Sequence, residues 1–281
     1  MKPLSIIIIC LFFFSCKEKK ADNDWGKMDL HGKVKTLVEK DYMLDTTGSN
    51  KGKHLRWTKT FKFNLNGLLI ENEQLDEKNK SMFRYTYTYG AANRIREERG
   101  YADNVMATTR YTYDTINHTT LKNFFPFDGS SILIQAKYQY NKGGQLLSTI
   151  MSIPASAPDT GLKIMSNEVF VYDKKGNKVK SIYTHSDSFR ETTIYAYDEH
   201  GNCISEVADT ALPHRAIRTT RKFDEKDNLI EERSYEADGS IHSQKKIEYR
   251  SFDKAGNWLV QYIHWKDLGT TVIERSIEYY P

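Results

Sequence analysis

The chain has 281 residues, with 41 lysine and arginine against 37 aspartate and glutamate, a formal net charge of +4. That small basic excess is spread along the chain, whereas a nucleic-acid footprint would gather on one face or tail, so no nucleic-acid partner is expected. Three cysteines, Cys10, Cys16 and Cys203, are too few and too far apart for a disulfide framework or a cysteine-based metal cage.

The first residues follow the grammar of an export signal. Lys2 supplies a short positive start, Leu4 to Phe14 form an apolar stretch, and Ser15-Cys16 closes it. Such a core is too short for a permanent membrane helix, which needs roughly 20 apolar residues. A small residue followed directly by cysteine resembles the lipobox of bacterial lipoproteins. Phe13 and Phe14, where leucine and a small residue are usual, make it the looser form that resembles lipoproteins of the Bacteroidetes. The resemblance implies cleavage before Cys16, acylation of Cys16, and an outer-membrane location on the periplasmic face or the cell surface. An ordinary secretory peptide cut near Ser15 is the alternative. Cys10 follows Ile9 and is a poor cleavage site. The polar run from Lys17 to Asp24 reads as a solvated tether. The expected division is a signal peptide over 1–15, a lipidated N-terminus and tether over 16–28, and one repeat domain over 29–281.

Eighteen tyrosines and 13 phenylalanines with only 6 prolines point to β structure. One pattern recurs eight times: an aromatic strand end, then a turn residue, then a glycine, asparagine or aspartate three positions on. The turn residues are Asn64, Gly90, Asp114, Asn141, Asp173, Asp198, Asp224 and Asp253, and the closing residues Gly67, Asn93, Asn117, Gly144, Gly176, Gly201, Asp227 and Gly256. The mean period of about 27 is that of a repeat architecture. Aromatics at i and i+2, such as Tyr87 and Tyr89, share one face of a strand. Aspartate or asparagine at the first turn position can accept a bond from a backbone N–H two residues on. The closing position holds only residues that tolerate positive φ. Each repeat is therefore expected to be a hairpin. Second turns are expected at Asp76–Asn79, Ala102–Asn104, Asp128–Gly129, Ser186–Ser188 and Asp238–Gly239. A projecting loop is expected at Ser152–Ser166, around Pro154, Pro158 and Gly161. The stretches from His31 and from Val272 read as opening and closing strands.

Two copies, Phe170-Val-Tyr172-Asp173-Lys-Lys-Gly176-Asn177 and Tyr195-Ala-Tyr197-Asp198-Glu-His-Gly201-Asn202, resemble the YD repeat of RHS proteins. The resemblance covers roughly residues 57–263. It implies an all-β fold of tandem antiparallel hairpins in one long, twisted and curved sheet, as a short spiral or partly closed shell. Large members of that family enclose a toxic C-terminal domain; this chain is several times shorter and ends at Tyr279-Tyr280-Pro281, so toxin delivery is not implied.

The catalytic patterns that sequence can test are absent: no His-Glu-x-x-His, no Gly-x-Ser-x-Gly and no dinucleotide fingerprint. No cofactor and no metal site is expected. The eight histidines stand singly, and the recurrent aspartates read as turn formers rather than a calcium ladder. Thr46, Thr115 and Thr210 each follow an aspartate, in triplets that resemble the O-glycosylation sequon of Bacteroidetes. The tyrosine rows suit either a concave core or stacking on sugars; a binding surface, if separate, is expected at Pro154 and Pro158 with Trp258 and Trp265. The expected function is a membrane-anchored, non-catalytic binding or scaffold module for an outer-membrane protein complex or a surface glycan. The alternatives are a glycan-acting hydrolase, whose two carboxylates would come from different strands, and an accessory or immunity factor of an RHS-type toxin system.

Overall fold

The computed structural model describes residues 23–45, 52–102, 105–126, 131–155, 161–209 and 217–281. A single helical turn, α1 (Asp24–Lys27), precedes the strands. The first nine are β1 (Val34–Asp45), β2 (Gly52–Phe63), β3 (Leu69–Asp76), β4 (Ser81–Tyr89), β5 (Ile95–Ala102), β6 (Val105–Asp114), β7 (Thr119–Phe125), β8 (Ile134–Tyr140) and β9 (Leu146–Pro154). The second nine are β10 (Leu162–Tyr172), β11 (Lys178–His185), β12 (Arg190–Tyr197), β13 (Cys203–Asp209), β14 (Arg218–Phe223), β15 (Leu229–Tyr235), β16 (Ile241–Phe252), β17 (Trp258–Trp265) and β18 (Gly269–Tyr279).

Every strand pairs antiparallel with its neighbours in sequence, and β18 pairs back onto β1 from Val34↔Tyr279 to Leu44↔Thr270. The all-β hairpin array is therefore present, but the expected open or partly closed sheet is corrected to a closed 18-stranded barrel. Closure has a plain physical cause. A free β1 and a free β18 would each leave a long row of backbone N–H and C=O groups without a ladder, and pairing the two removes both edges.

All eight motif turns join an even strand to the next odd one, so they lie on one rim of the barrel. The start of β1 and the end of β18 lie there too. The other connections form the far rim. The turn chemistry follows the expected pattern and extends it. Asp173 Oδ1 accepts from the N–H of Lys175 at 2.8 Å and also from that of Asn177 at 2.8 Å, while Asn177 Nδ2 donates to Asp173 Oδ2 at 3.0 Å. A β-bulge immediately precedes the turn at Val171/Tyr172, and equally at Lys62/Phe63, Thr88/Tyr89 and Ala196/Tyr197. The third copy differs. Asp114 pairs directly with Thr119 with no bulge before it, and His118 rather than Asn117 takes positive φ, at 51°.

The bulge also explains the tyrosine. It leaves the first carbonyl of the outgoing strand beyond the end of the next ladder, and a tyrosine hydroxyl of the next hairpin reaches it. Tyr89 donates to Leu69 O at 2.7 Å, Tyr113 to Ile95 O at 2.8 Å, Tyr172 to Leu146 O at 2.8 Å and Tyr197 to Lys178 O at 2.8 Å. One hydroxyl thus stitches each of these hairpins to the one before.

The two faces of the wall differ. Leu37, Phe63, Tyr111, Tyr249 and Arg275 lie on one face and are buried or half-buried. The other face carries exposed ionic networks, Lys62–Glu71–Arg84 and Arg99–Glu97–Arg110. A closed sheet crowds its concave side and splays its convex side, so the first set lines the lumen. Barrels that cross a bilayer show lipid an apolar band about 25 Å tall. These charges interrupt any such band along β2–β6, while along β10–β13 the same face exposes Val169, Val171, Ile194 and Val207. Side chains also reach over an intervening strand, as Lys122 on β7 does to Glu98 on β5 and Arg56 on β2 to Thr271 on β18.

A small apolar core closes the motif rim. Leu30, Val34, Leu37 and Phe63 are buried together, with Trp25, Met28, Ile277 and Tyr279 packed against them. Residues 23–28, expected within a tether, are instead fastened to the barrel. Asn23 caps α1 by accepting from the Gly26 N–H at 3.1 Å, and Trp25 Nε1 donates to Val34 O at 2.8 Å. Residues 23–28 belong to the folded domain.

Candidate binding cavity in the lumen

Along β10 to β14 the concave wall forms a cavity of about 820 Å³. Strand register places its groups. Glu168 on β10, Tyr183 on β11 and Glu191 on β12 stand directly opposite one another in one row. Tyr195 on β12, Glu206 on β13 and Thr219 on β14 form a second row. Ser181 Oγ and the Tyr195 hydroxyl, 3.2 Å apart, link the rows. At the far rim the β11–β12 turn adds His185, Asp187 and Phe189 to the lining. The His185 and Asp187 side chains are 2.9 Å apart, and Phe189 lies 6.3 Å from the Tyr183 ring. The cavity therefore extends to the far rim.

No lysine or arginine lines this cavity, although the chain as a whole is slightly basic. Burial pushes the Glu168 carboxyl above its usual range; a hydrogen bond with Ser181 and the charge of Lys178 oppose the shift, and the charge of Glu191 adds to it. Lys178 Nζ sits 4.3 Å from the Tyr195 ring centre, at the edge of the site. Beneath Glu206 runs a lumenal ionic chain: Arg221 reaches Glu206 at 2.6 Å and Glu232 at 2.8 Å, and Lys245 reaches Glu232 at 2.7 Å. Burial works against the Arg221 charge, but the two glutamates overcome it and raise its pKa. The cavity thus offers carboxylates, hydroxyls and aromatic rings, most of them set on strands and the rest on the β11–β12 turn.

The residues singled out from sequence do not assemble here. Trp258 and Trp265 both lie on β17, at its two ends. Trp258 packs on Tyr249, with ring centres 5.9 Å apart, and stacks under the Arg275 guanidinium at 3.4 Å, so it is a wall residue. Trp265 lies beneath Lys245. Pro154 ends β9, eight positions from β17 around the ring, and cannot share a surface with either tryptophan. The expected projecting loop is mostly strand: Pro154 pairs with Leu162 and Ile153 with Lys163. Thr115 is exposed in the β6–β7 turn. Pro158, Cys16, Thr46 and Thr210 lie outside the described residues. Among the described residues no group of three or more histidine, cysteine, aspartate or glutamate side chains is arranged to hold a metal. Sequence reasoning missed Glu168, Glu191 and Glu206. Their signal was parity: Glu168 stands two residues before Phe170, on the same face as the aromatic row.

No protein-family model and no curated protein matches the chain. Among solved structures it is similar to a porin-like protein from Bacteroides uniformis ATCC 8492, at 11% identity and a TM-score of 0.46, over 87% of this chain and 98% of that one. A TcdB2-TccC3-Cdc42 structure is similar at 12% identity and a TM-score of 0.31, over 87% of this chain but 18% of that one. A putative outer membrane lipoprotein-sorting protein domain from Vibrio parahaemolyticus is similar at 8% identity and a TM-score of 0.26, over 87% of this chain and 86% of that one.

Proposed function

We propose that the chain is a lipid-anchored, non-catalytic lipoprotein of the outer membrane, built of YD-type repeats, that works as a ring-shaped binding module and takes a glycan into the lumen at β10–β14. The observation that supports this best is the cavity on the concave wall. Tyr183 and Tyr195 present aromatic surface for the apolar faces of sugar rings, and Glu168, Glu191 and Ser181 present acceptors and a donor for their hydroxyls. The lipobox-like Ser15-Cys16 supports the anchor. Titration calorimetry against a panel of envelope oligosaccharides tests the binding. One or more should give saturable heat that Tyr195→Ala reduces at least tenfold in affinity; no saturable heat from any of them, with folded protein, overturns the glycan assignment.

One observation favours a hydrolase as the alternative. Glu168 and Glu191 flank Tyr183 from strands two apart, which sets their backbones roughly 10 Å apart, near the wide end for an inverting carboxylate pair. The raised Glu168 would be the proton donor. Release of reducing ends from a bound oligosaccharide, abolished in Glu168→Gln, would replace the non-catalytic assignment.

A further inference from the structure

We infer that the motif rim docks on the membrane surface that holds the anchor, with Leu65 and Ile116 at the headgroup layer, so that the far-rim end of the cavity points away from the membrane. The inference rests on the acylation of Cys16 proposed above, and the structure adds where the anchored end must emerge.

Asn23 is sewn into the motif rim. Its Nδ2 donates to Asn66 O at 3.1 Å, and Asp24 N–H donates to Gly67 O at 2.9 Å in the same β2–β3 turn. Asp24 also accepts from the Leu69 N–H at 2.8 Å. A few residues on, His31 N–H donates to Asn257 Oδ1 at 2.7 Å in the β16–β17 turn. The chain is therefore fastened across the rim before it can turn toward the far end. Cys16 stands seven residues before Asn23, and seven residues reach at most about 25 Å when fully extended. The anchor therefore holds this rim near the bilayer.

The rim itself is suited to that contact. The tip of the β2–β3 turn, beside Asn23, is Leu65, which is 67% exposed, and the tip of the β6–β7 turn is Ile116, which is 87% exposed. Turn tips are ordinarily polar, and this rim exposes two apolar ones, whereas the far rim exposes Leu268, at 71%. Basic residues stand on the turns around and beyond them: Arg94, Lys142, Lys174 and Lys175. The acids of that arc, Asp114 and Asp173, are turned back onto the amides of their own turns. This arc therefore suits the apolar and anionic groups of a lipid surface. The β12–β13 and β14–β15 turns carry Asp198, Glu199, Asp224 and Glu225 instead. The ring is accordingly tilted, with its β2–β11 arc lowest. His185, Asp187 and Phe189 carry the cavity lining to the far rim, so docking at the motif rim leaves that end of the cavity in solvent.

The test uses the full acylated chain in vesicles of phosphatidylethanolamine and phosphatidylglycerol. An environment-sensitive fluorophore is attached at Ile116→Cys or, as the control on the far rim, at Leu268→Cys; Cys203 is buried and stays in place. Lipids with a nitroxide in the headgroup serve as quencher. The probe at position 116 should be quenched at least threefold more than the probe at 268 and should shift to the blue. Equal or reversed quenching in a chain whose mass shows the acyl groups overturns the docking alone. A chain without acyl groups overturns the anchor and the docking together.

Discussion

Glu168 is a carboxylate held where burial works against its charge. Its pKa is raised on folding, so the protonated form is the one the fold prefers. The associated stability is fully present below about pH 4 and is lost as pH rises through the folded value. Glu168→Gln is therefore expected to unfold at a higher temperature than the parent at pH 7.5 and at the same temperature near pH 4. A variant that unfolds earlier at pH 7.5 would show that the charged form is the stabilised one. Glu232, on the same face, differs in kind. Glu232 is also opposed by burial, yet Lys245 and Arg221 draw its pKa down, so its charge supports the fold. Glu168 is compensated only in part, by the hydrogen bond with Ser181 and the charge of Lys178.

The hairpin and its turn form the next scale. Asp173, fully exposed, has its pKa lowered by the backbone N–H of Asn177 first and by the side chain of the same asparagine and other turn amides after it. A depressed carboxylate contributes stability above about pH 4 that is lost as pH falls through the folded value. Asparagine already fills this position at Asn64 and Asn141, where its Oδ1 makes the same pair of bonds. Asp173→Asn is thus expected to leave the unfolding temperature at pH 7 nearly unchanged and to make its decline between pH 5 and pH 2 shallower. An unchanged acid limb would assign the acid sensitivity to other groups. The hairpins were legible in the chain because their determinants are local. The Asx bonds, the positive φ at Gly176 and Gly256, and the i, i+2 aromatics all act within a few residues. The long hairpin at Pro154 was misread for the opposite reason. Pro154 ends a strand, where its missing N–H costs no ladder bond, and local sequence does not reveal that Leu162 waits across from it.

At the scale of the whole molecule the seam decides the architecture. Arg275 on β18 bonds Glu39 on β1 at 2.8 Å, with its guanidinium over Trp258, and both partners are largely buried. Burial lowers the Arg275 pKa although Glu39 supports the charge. Removing one partner of such a pair strands the other, which typically costs about 3–5 kcal/mol. Arg275→Ala is expected to lose on the order of 3 kcal/mol in urea unfolding. A loss within experimental error would mean that the backbone ladder alone holds the seam. Glu39 and Arg275 are separated by nearly the whole chain, and nothing local marks them as partners.

By itself the sequence determined most of the strands, the turn positions and the face on which the tyrosines lie, because each depends on residues within a few positions of one another. Only the tertiary structure decided that the sheet closes, that residues 23–28 seal a rim rather than form a tether, and that Glu168, Glu191 and Glu206 share a cavity while Trp258, Trp265 and Pro154 do not. Those outcomes depend on how many hairpins the sheet needs to curl back onto β1, and on register summed around the ring. Both are properties of all 18 strands together, and no single repeat carries them.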